Sequence, residues 1–191
     1  MNLQTQRIFP TSIGISDNII DNTLIKISND YLDLYGSQAF LCPCTSTIRH
    51  HPKILEEKPF EQIKENIKEL IAYYCTSVGY SSERIQISES WLNRYDEFGY
   101  QDLHHHHDSL ISGVIYIQSK GNQDFVVQAP WHTHQPMLFD ITNPSHDNYT
   151  TYSYPSTNGR CYIFPSYLMH RTLPATSKRI SLSFNCVYGA R

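Results

Sequence analysis

Hydrophobic positions recur at two different periods along the chain, and the change of period divides it into two parts. From Asp17, apolar side chains recur at helical spacing as far as Gly36, and a second, clearer helical run begins at Pro59 and ends at Gly79. Proline in the first turn and glycine just beyond the last are typical boundaries of a helix. The sequence therefore predicts a helical part over about residues 17–79.

Beyond this helical part the pattern changes to short runs rich in β-branched and aromatic residues. The predicted strands cover residues 85–95, 110–118, 124–129, 136–141, 160–164 and 179–188. A short edge strand is predicted over 7–15, whereas 37–58 show little periodicity and predict an irregular, partly extended segment. Helices followed by successive strands predict a single domain over 1–191, mainly β with flanking helices, whose β-sandwich or barrel core spans about 85–188.

Composition narrows the choice of partners and compartment. Fifteen basic and eighteen acidic residues give a net charge of −3 without a basic run, so there is no positive case for nucleic acid or a membrane surface. The chain opens without the features of a signal peptide, and its apolar runs are too short to span a bilayer. Five scattered cysteines predict no disulfide framework and a reducing, cytoplasmic compartment; Cys42 and Cys44 are interpreted as structural.

The clearest chemical signal is a run of four histidines, residues 104–107, followed by Asp108. Because alternate side chains of an extended chain share a face, His104 and His106 can point together toward one metal ion. His106 with Asp108 is a competing pair that offers a carboxylate ligand. The histidines without such a context are interpreted as surface or loop residues: His50, His51, His146, and also His132 and His134, which are weaker candidates for lining the pocket.

A second signal lies downstream, where His170 is followed by Arg179 and Ser181. Paired imidazoles, a distant third histidine and a basic residue beyond it indicate a mononuclear iron site that also binds an acidic cosubstrate. Arg179 is the strongest of the candidates for the cosubstrate, because an arginine within an apolar strand needs an anion.

Several motifs occur in the order seen in one family. They are W-x-N-x-Y at 91–95, H-x-H at 104–106, S-G-V-x-Y at 112–116, F-P-S-x-L-x-H at 164–170 and R-x-S-x-S-F-N at 179–185, preceded by IFPT at 8–11. With these motifs the chain resembles the iron(II)- and 2-oxoglutarate-dependent oxygenases, specifically the small bacterial and phage group related to prolyl hydroxylases. The resemblance covers nearly the whole chain and implies a double-stranded β-helix, or jelly roll, with the metal in its mouth.

The resemblance also implies cofactors and roles. Fe(II), 2-oxoglutarate and O2 are the expected cofactors, and the spacing from Tyr95 to the first ligand favours His104, His106 and His170 over the set with Asp108. This departs from the H-x-D pattern found elsewhere in the superfamily. Arg179 is expected to bind the distal carboxylate of 2-oxoglutarate, with hydroxyl donors from Ser181 and Tyr116. Asn93 and Tyr95 are expected to contact the cosubstrate or order the ligands.

The substrate is expected to be a small molecule or a peptide, and a homodimer is left open. Residues 119–160 look like an insertion near the mouth, where Trp131, His132, Tyr149, Tyr152 and Tyr154 could contact the substrate. Two alternatives to a dioxygenase remain at this stage. One is a cupin-like protein that binds a metal and an anion without turnover, and the other is a zinc hydrolase with three histidine ligands.

Overall fold

Two antiparallel β-sheets face each other, and two α-helices cover the outer face of the larger one. The computed structural model describes residues 3–5, 7, 9–39, 42–131 and 140–190. The α-helices are α1 (Thr23–Tyr35) and α2 (Glu61–Ser77), with 3₁₀ turns at Ile54–Glu56 and Lys58–Phe60. The strands are β1 (Gly14–Ser16), β2 (Ser37–Gln38), β3 (Thr45–Ser46), β4 (Ile85–Tyr95), β5 (Gln101–His104), β6 (Ile111–Gln118), β7 (Phe125–Gln128), β8 (Thr151–Tyr154), β9 (Cys161–Pro165), β10 (His170–Thr172) and β11 (Arg179–Tyr188).

The order of the strands confirms the predicted jelly roll. The major sheet runs β1-β9-β6-β11-β4-β3-β2 and the minor sheet runs β5-β10-β7-β8. From β5 onward the chain passes back and forth between the two sheets, so that β6, β9 and β11 lie in one and β5, β7, β8 and β10 in the other. This alternation makes the double-stranded β-helix.

Successive side chains of the central strands point to opposite faces of the major sheet, so one set packs against the helices and the other lies between the two sheets. On β11, Ile180, Leu182 and Phe184 face outward and join a large cluster with α1 and α2. Gly113 on β6 belongs to this face, because the ring of Phe184 occupies the space that a Cβ at position 113 would need. The opposite face of the major sheet looks toward the minor sheet, so the polar residues at alternate positions are enclosed between the sheets.

The helix boundaries follow from local contacts. Helix α1 begins later than the predicted Asp17, because the carboxylate of Asp21 accepts hydrogen bonds from the backbone N–H groups of Thr23 and Leu24 at 2.8 and 3.2 Å. Gly36 ends α1 as predicted, since a side chain there would collide with the Leu32 carbonyl. Neither helix in the described part of the chain is long and apolar enough to cross a membrane.

Most strand predictions are confirmed. Strands β4 and β11 have the predicted bounds, and β6, β7 and β9 differ from prediction by a residue or so at their ends. The strand predicted over 7–15 was wrong for most of its described residues, because among them only Gly14 and Ile15 belong to β1, which pairs with β9. The strand predicted over 136–141 falls largely outside the described residues. Strands β5, β8 and β10 were missed, as were the two-residue strands β2 and β3 in the segment predicted to be irregular and partly extended.

Candidate metal centre

Three histidines meet at one end of the minor sheet. His104 is the last residue of β5 and His170 is the first of β10, and the two are direct partners in the register of these strands. His106 lies two residues beyond β5, and one ring nitrogen from each histidine lies within 4.8 Å of the others. The rings of His105 and His107 pack against each other instead, with centroids 4.0 Å apart. Asp108 is exposed and lies outside this cluster.

Hydrogen bonds to backbone carbonyls fix the outer nitrogens of two of these rings. Nδ1 of His170 lies 2.8 Å from the Leu168 carbonyl and Nδ1 of His104 lies 2.7 Å from the Asp102 carbonyl. A carbonyl can only accept, so each Nδ1 carries the proton and each Nε2 presents a lone pair. This is the arrangement that orients histidine ligands in metal sites.

Residues from three of the sequence motifs, Ser112, Ser166 and Asn185, contact one another next to His106. The side-chain oxygen of Asn185 accepts from the Ser112 hydroxyl at 2.8 Å, and that hydroxyl lies 2.7 Å from the hydroxyl of Ser166. The Ser166 carbonyl accepts from the backbone N–H of His106 at 3.0 Å. The Asn185 amide nitrogen donates to Glu89 at 3.2 Å and lies 3.4 Å from Nδ1 of His106. These contacts, of which those among Ser112, Ser166 and Asn185 are buried, hold the segment that carries His106 against the major sheet.

Burial keeps the three imidazoles neutral. It lowers the pKa of His170 to about 3 and that of His106 to about 4, and it also lowers the pKa of His104. The neighbouring histidines act in the same direction. The neutral imidazole is the form that binds a metal ion, so none of the three histidines has to lose an imidazolium proton at neutral pH.

These shifts predict how the metal-free protein responds to acid. In the unfolded chain the imidazoles take up protons near the ordinary pKa of 6.5, whereas His106 and His170 in the fold resist protonation down to about 4 and 3. The unfolded state therefore binds more protons in this window, and the free energy of unfolding should fall as the pH falls below about 6.5.

Denaturant unfolding in a chelator at a series of pH values measures this loss. His170→Gln should flatten the dependence on pH, because it removes one of the groups with a lowered pKa. His50→Gln at an exposed position is the matched control and should leave the slope unchanged. Equal slopes in the parent and in His170→Gln would contradict the assignment.

Arg179 lies buried on the inner face of the major sheet, with 1% of its side chain exposed. Its Nη1 donates to Asp124 at 3.0 Å and to the Leu173 carbonyl at 3.1 Å, and its Nη2 donates to the Thr172 hydroxyl at 3.0 Å. Tyr95 stacks on the guanidinium, whose central carbon lies 4.5 Å from the ring centroid. The anion predicted beside Arg179 is thus found within the protein, as Asp124.

Two buried donors beside this arginine have no partner among the described residues. They are Nε of Arg179 and the hydroxyl of Tyr116. Nε and Nη2 form one edge of the guanidinium, and Nη2 carries a second hydrogen besides the one donated to Thr172. That edge can bind a carboxylate through two parallel hydrogen bonds. An unpaired buried donor costs free energy, so the site suits an anionic ligand that would satisfy it.

The other predicted cosubstrate residues lie in the same region of the sheet. Asn93, Ser181 and Tyr116 form a row across β4, β11 and β6, and Tyr95 with Arg179 forms the adjacent pair. Because cross-strand partners and alternate residues share a face, all five side chains face the minor sheet. The structure therefore brings together on one face the five residues that the sequence singled out for the cosubstrate.

Asp124 was missed by the sequence analysis. It is buried just before β7, and its carboxylate accepts from the Ser156 hydroxyl at 2.9 Å as well as from Arg179. The only signal was an acidic residue directly before the apolar run FVVQ.

The segment 119–160 is partly built into the minor sheet, because it contains β7 and β8. Tyr154 packs against the inner core, and Tyr149 and Tyr152 are in ring contact at 5.7 Å between centroids. Trp131 is exposed, and His132 and His134 lie outside the described residues.

The fold and the cluster together define a class of protein: a double-stranded β-helix with three neutral imidazoles disposed to hold one metal ion. A family model described as putative 2OG-Fe(II) oxygenase matches residues 89–185, which is more than half of the chain. The chain therefore belongs to the 2OG-Fe(II) oxygenase family. Its cofactors are those of the family: iron(II), 2-oxoglutarate and O2.

Solved structures agree on the fold. A prolyl-4-hydroxylase from Pseudomonas putida superposes with a TM-score of 0.69 over 94% of each chain at 11% identity. HygX from Streptomyces hygroscopicus, with nickel and 2-oxoglutarate bound, gives 0.59 over 92% of this chain and 82% of its own at 12% identity. The viral collagen prolyl hydroxylase of Paramecium bursaria Chlorella virus-1 gives 0.57 over 94% and 96% at 12% identity. No curated protein sequence matches this chain.

Proposed function

We propose that this protein is a dioxygenase that hydroxylates its substrate while 2-oxoglutarate is converted to succinate and CO2. One atom of O2 enters the substrate C–H bond and the other enters succinate, so that the atoms balance. The observation that carries the proposal is the combination of a three-imidazole cluster with a buried arginine whose Nε has no partner among the described residues.

In this proposal His104, His106 and His170 hold iron(II). Three protein ligands would leave room for the 2-oxo acid and for O2, and the iron with these two co-reactants would supply the oxidising power. Three neutral imidazoles give the ion no compensating charge, in contrast to a set that includes a carboxylate. A dianionic cosubstrate is therefore favoured at this centre.

The free edge of Arg179 would bind the distal carboxylate of 2-oxoglutarate through Nε and Nη2. The Tyr116 hydroxyl would donate to the same carboxylate, and Ser181 and Asn93 flank this position in the sheet. Asp124 and Thr172 hold the other side of the guanidinium, so that its free edge is oriented before the ligand arrives. Burial among the inner side chains excludes water from the charged contact and strengthens it.

The substrate in this proposal is a small molecule or a peptide. Related folds include HygX with hygromycin B bound and a prolyl hydroxylase in complex with a peptide fragment. Tyr152 lies on β8, the edge strand of the minor sheet, and its ring contacts that of Tyr149 just before the strand; we propose that both side chains contact the substrate.

We also propose that the protein works in a reducing cytoplasm and that its chain forms one domain. All five cysteines are free, which fits a reducing cytoplasm. The helices and the major sheet share one continuous core, which supports a single oxygenase domain over residues 1–191.

Anaerobic titration of the iron(II)-loaded protein with 2-oxoglutarate tests the proposal directly. We expect the weak visible charge-transfer band of the chelate, saturable binding by calorimetry, and succinate formation once O2 is admitted. Absence of both the band and the binding would contradict a 2-oxoglutarate enzyme. Tight binding without succinate would favour a binding protein, and activity restored by zinc alone would favour a hydrolase.

A further inference from the structure

Two cysteines meet beside the Arg179 site. Cys42 and Cys44 lie in the loop between β2 and β3, where the backbone N–H of Cys44 donates to the Cys42 carbonyl at 2.8 Å across Pro43. This bond makes a tight turn that places the two side chains together. Their sulfur atoms lie 2.9 Å apart, and neither cysteine is in a disulfide. Both residues are buried: 8% of the surface of Cys42 and 4% of that of Cys44 is exposed to solvent.

We propose that Cys42 and Cys44 form a redox site that closes to a disulfide by exchange with a small disulfide such as oxidised glutathione, and that closure weakens the binding of 2-oxoglutarate. The first half of the proposal stands on the geometry of the thiols. The second half, the coupling, rests on the proposed function of Arg179.

The geometry favours the exchange. The sulfurs need to approach only from 2.9 Å to about 2.04 Å, and the turn already holds the residues that carry them. The contact with Cys44 lowers the pKa of Cys42, whereas the same contact and burial raise the pKa of Cys44. Cys42 is therefore the thiol that more readily loses its proton and attacks.

The exchange balances in two steps. The Cys42 thiolate attacks one sulfur of oxidised glutathione, and the departing glutathione thiolate takes up a proton. Cys44 then loses its proton and attacks the Cys42 sulfur of the mixed disulfide, which releases the second glutathione as a thiol. Two protein thiols are oxidised and one small disulfide is reduced to two thiols.

Tyr95 connects this pair to the cosubstrate site. Its side chain shares a buried cluster with Cys42 and Cys44, and it lies close enough to Cys44 to lower the pKa of that thiol. The same ring also stacks on Arg179, whose Cζ lies 4.5 Å from the ring centroid. Closing the disulfide removes both S–H groups and moves the Cys44 sulfur, so the ring that supports the guanidinium must readjust.

The experiment uses the full chain loaded with nickel(II), which avoids oxidation of iron during the treatment. One sample is equilibrated with reduced glutathione and the other with oxidised glutathione. Mass spectrometry of the digested protein identifies a Cys42–Cys44 disulfide, and calorimetry measures the affinity for 2-oxoglutarate. We expect the disulfide in the oxidised sample and an affinity roughly 3- to 30-fold lower, the range expected for loss of a cation–π contact.

Two variants control for other effects of the oxidant. Cys42→Ser cannot form the disulfide and should bind 2-oxoglutarate equally well after both treatments. Cys161→Ala removes a buried cysteine from β9 and should behave like the parent, with both the disulfide and the loss of affinity.

The two readouts separate the possible failures. An oxidised sample without the Cys42–Cys44 disulfide overturns the redox site. A disulfide that leaves the affinity unchanged, or an equal loss of affinity in Cys42→Ser, overturns the coupling. If the reduced parent does not bind 2-oxoglutarate, the proposed function and the coupling both fail, whereas the mass measurement still decides whether the redox site exists.

Discussion

Replacing His104, His106 or His170 with alanine is expected to lower the affinity for iron(II) by more than about 100-fold, a loss larger than that caused by changing an outer partner of a ligand. The reason is geometric, because the three nitrogens lie within 4.8 Å of one another and two remaining imidazoles no longer enclose the ion. Anaerobic equilibrium dialysis with iron(II) measures the loss without any knowledge of the substrate.

The histidine run provides matched controls for this experiment. His105→Ala removes an imidazole adjacent to two of the proposed ligands, but its ring packs on His107 and should not contribute to binding. Asp108→Ala removes the competing carboxylate, which is exposed, and should leave the affinity within a few-fold of the parent, at most the effect of an outer partner. Retained iron in His104→Ala with loss in Asp108→Ala would instead establish the set of His106, Asp108 and His170.

The sequence was most informative where hydrophobic alternation was long and uninterrupted. Strands β4 and β11 pair along most of their length near the centre of the major sheet, and their outward side chains pack in one core. The alternation of apolar and polar residues within each strand is therefore enough to predict it. Strands β5 and β10 are short and polar, and they are defined by pairing with distant parts of the chain: β10 pairs with β5 on one side and with β7 on the other. A pairing between residues so distant in the chain leaves no local periodicity to detect.

The same distinction applies to the candidate site. Motif order singled out His104, His106, His170 and Arg179, because each is set in a recognisable local pattern. Asp124 carries no such pattern, and its importance appears only when the fold brings it to Nη1 of Arg179. The sequence also suggested that Arg179 needs an anion, but it could not show that Nη1 pairs with Asp124 while Nε has no partner among the described residues.

Because Nε of Arg179 has no partner among the described residues, we expect replacement of this arginine to separate cosubstrate binding from metal binding. In Arg179→Leu we expect the affinity for 2-oxoglutarate to fall by about 2–5 kcal/mol, roughly 30-fold to several thousand-fold, while iron(II) still binds. Arg179→Lys keeps the charge but cannot present two parallel N–H groups, and it should recover only part of the loss. Calorimetry with 2-oxoglutarate on the nickel(II)-loaded variants measures these differences.

The stability of Arg179→Leu needs its own control, because the change leaves the buried Asp124 without its partner. Removing one member of a buried pair costs about 3–5 kcal/mol, so the single variant is expected to unfold more easily. The double variant Arg179→Leu with Asp124→Leu removes both charges and should recover stability without recovering 2-oxoglutarate binding. Recovery of binding in the double variant would show that Arg179 stabilises the fold and has no part in holding the cosubstrate.

Tyr116→Phe gives the complementary result. Its hydroxyl is buried without a partner among the described residues, so its removal should leave the stability of the metal-free protein unchanged or slightly higher. If the hydroxyl donates to the distal carboxylate, the affinity for 2-oxoglutarate should nevertheless fall by roughly 10- to 150-fold, the effect of one hydrogen bond to a charged group. A residue that served only packing would not produce this combination, and an unchanged affinity would remove Tyr116 from the cosubstrate site.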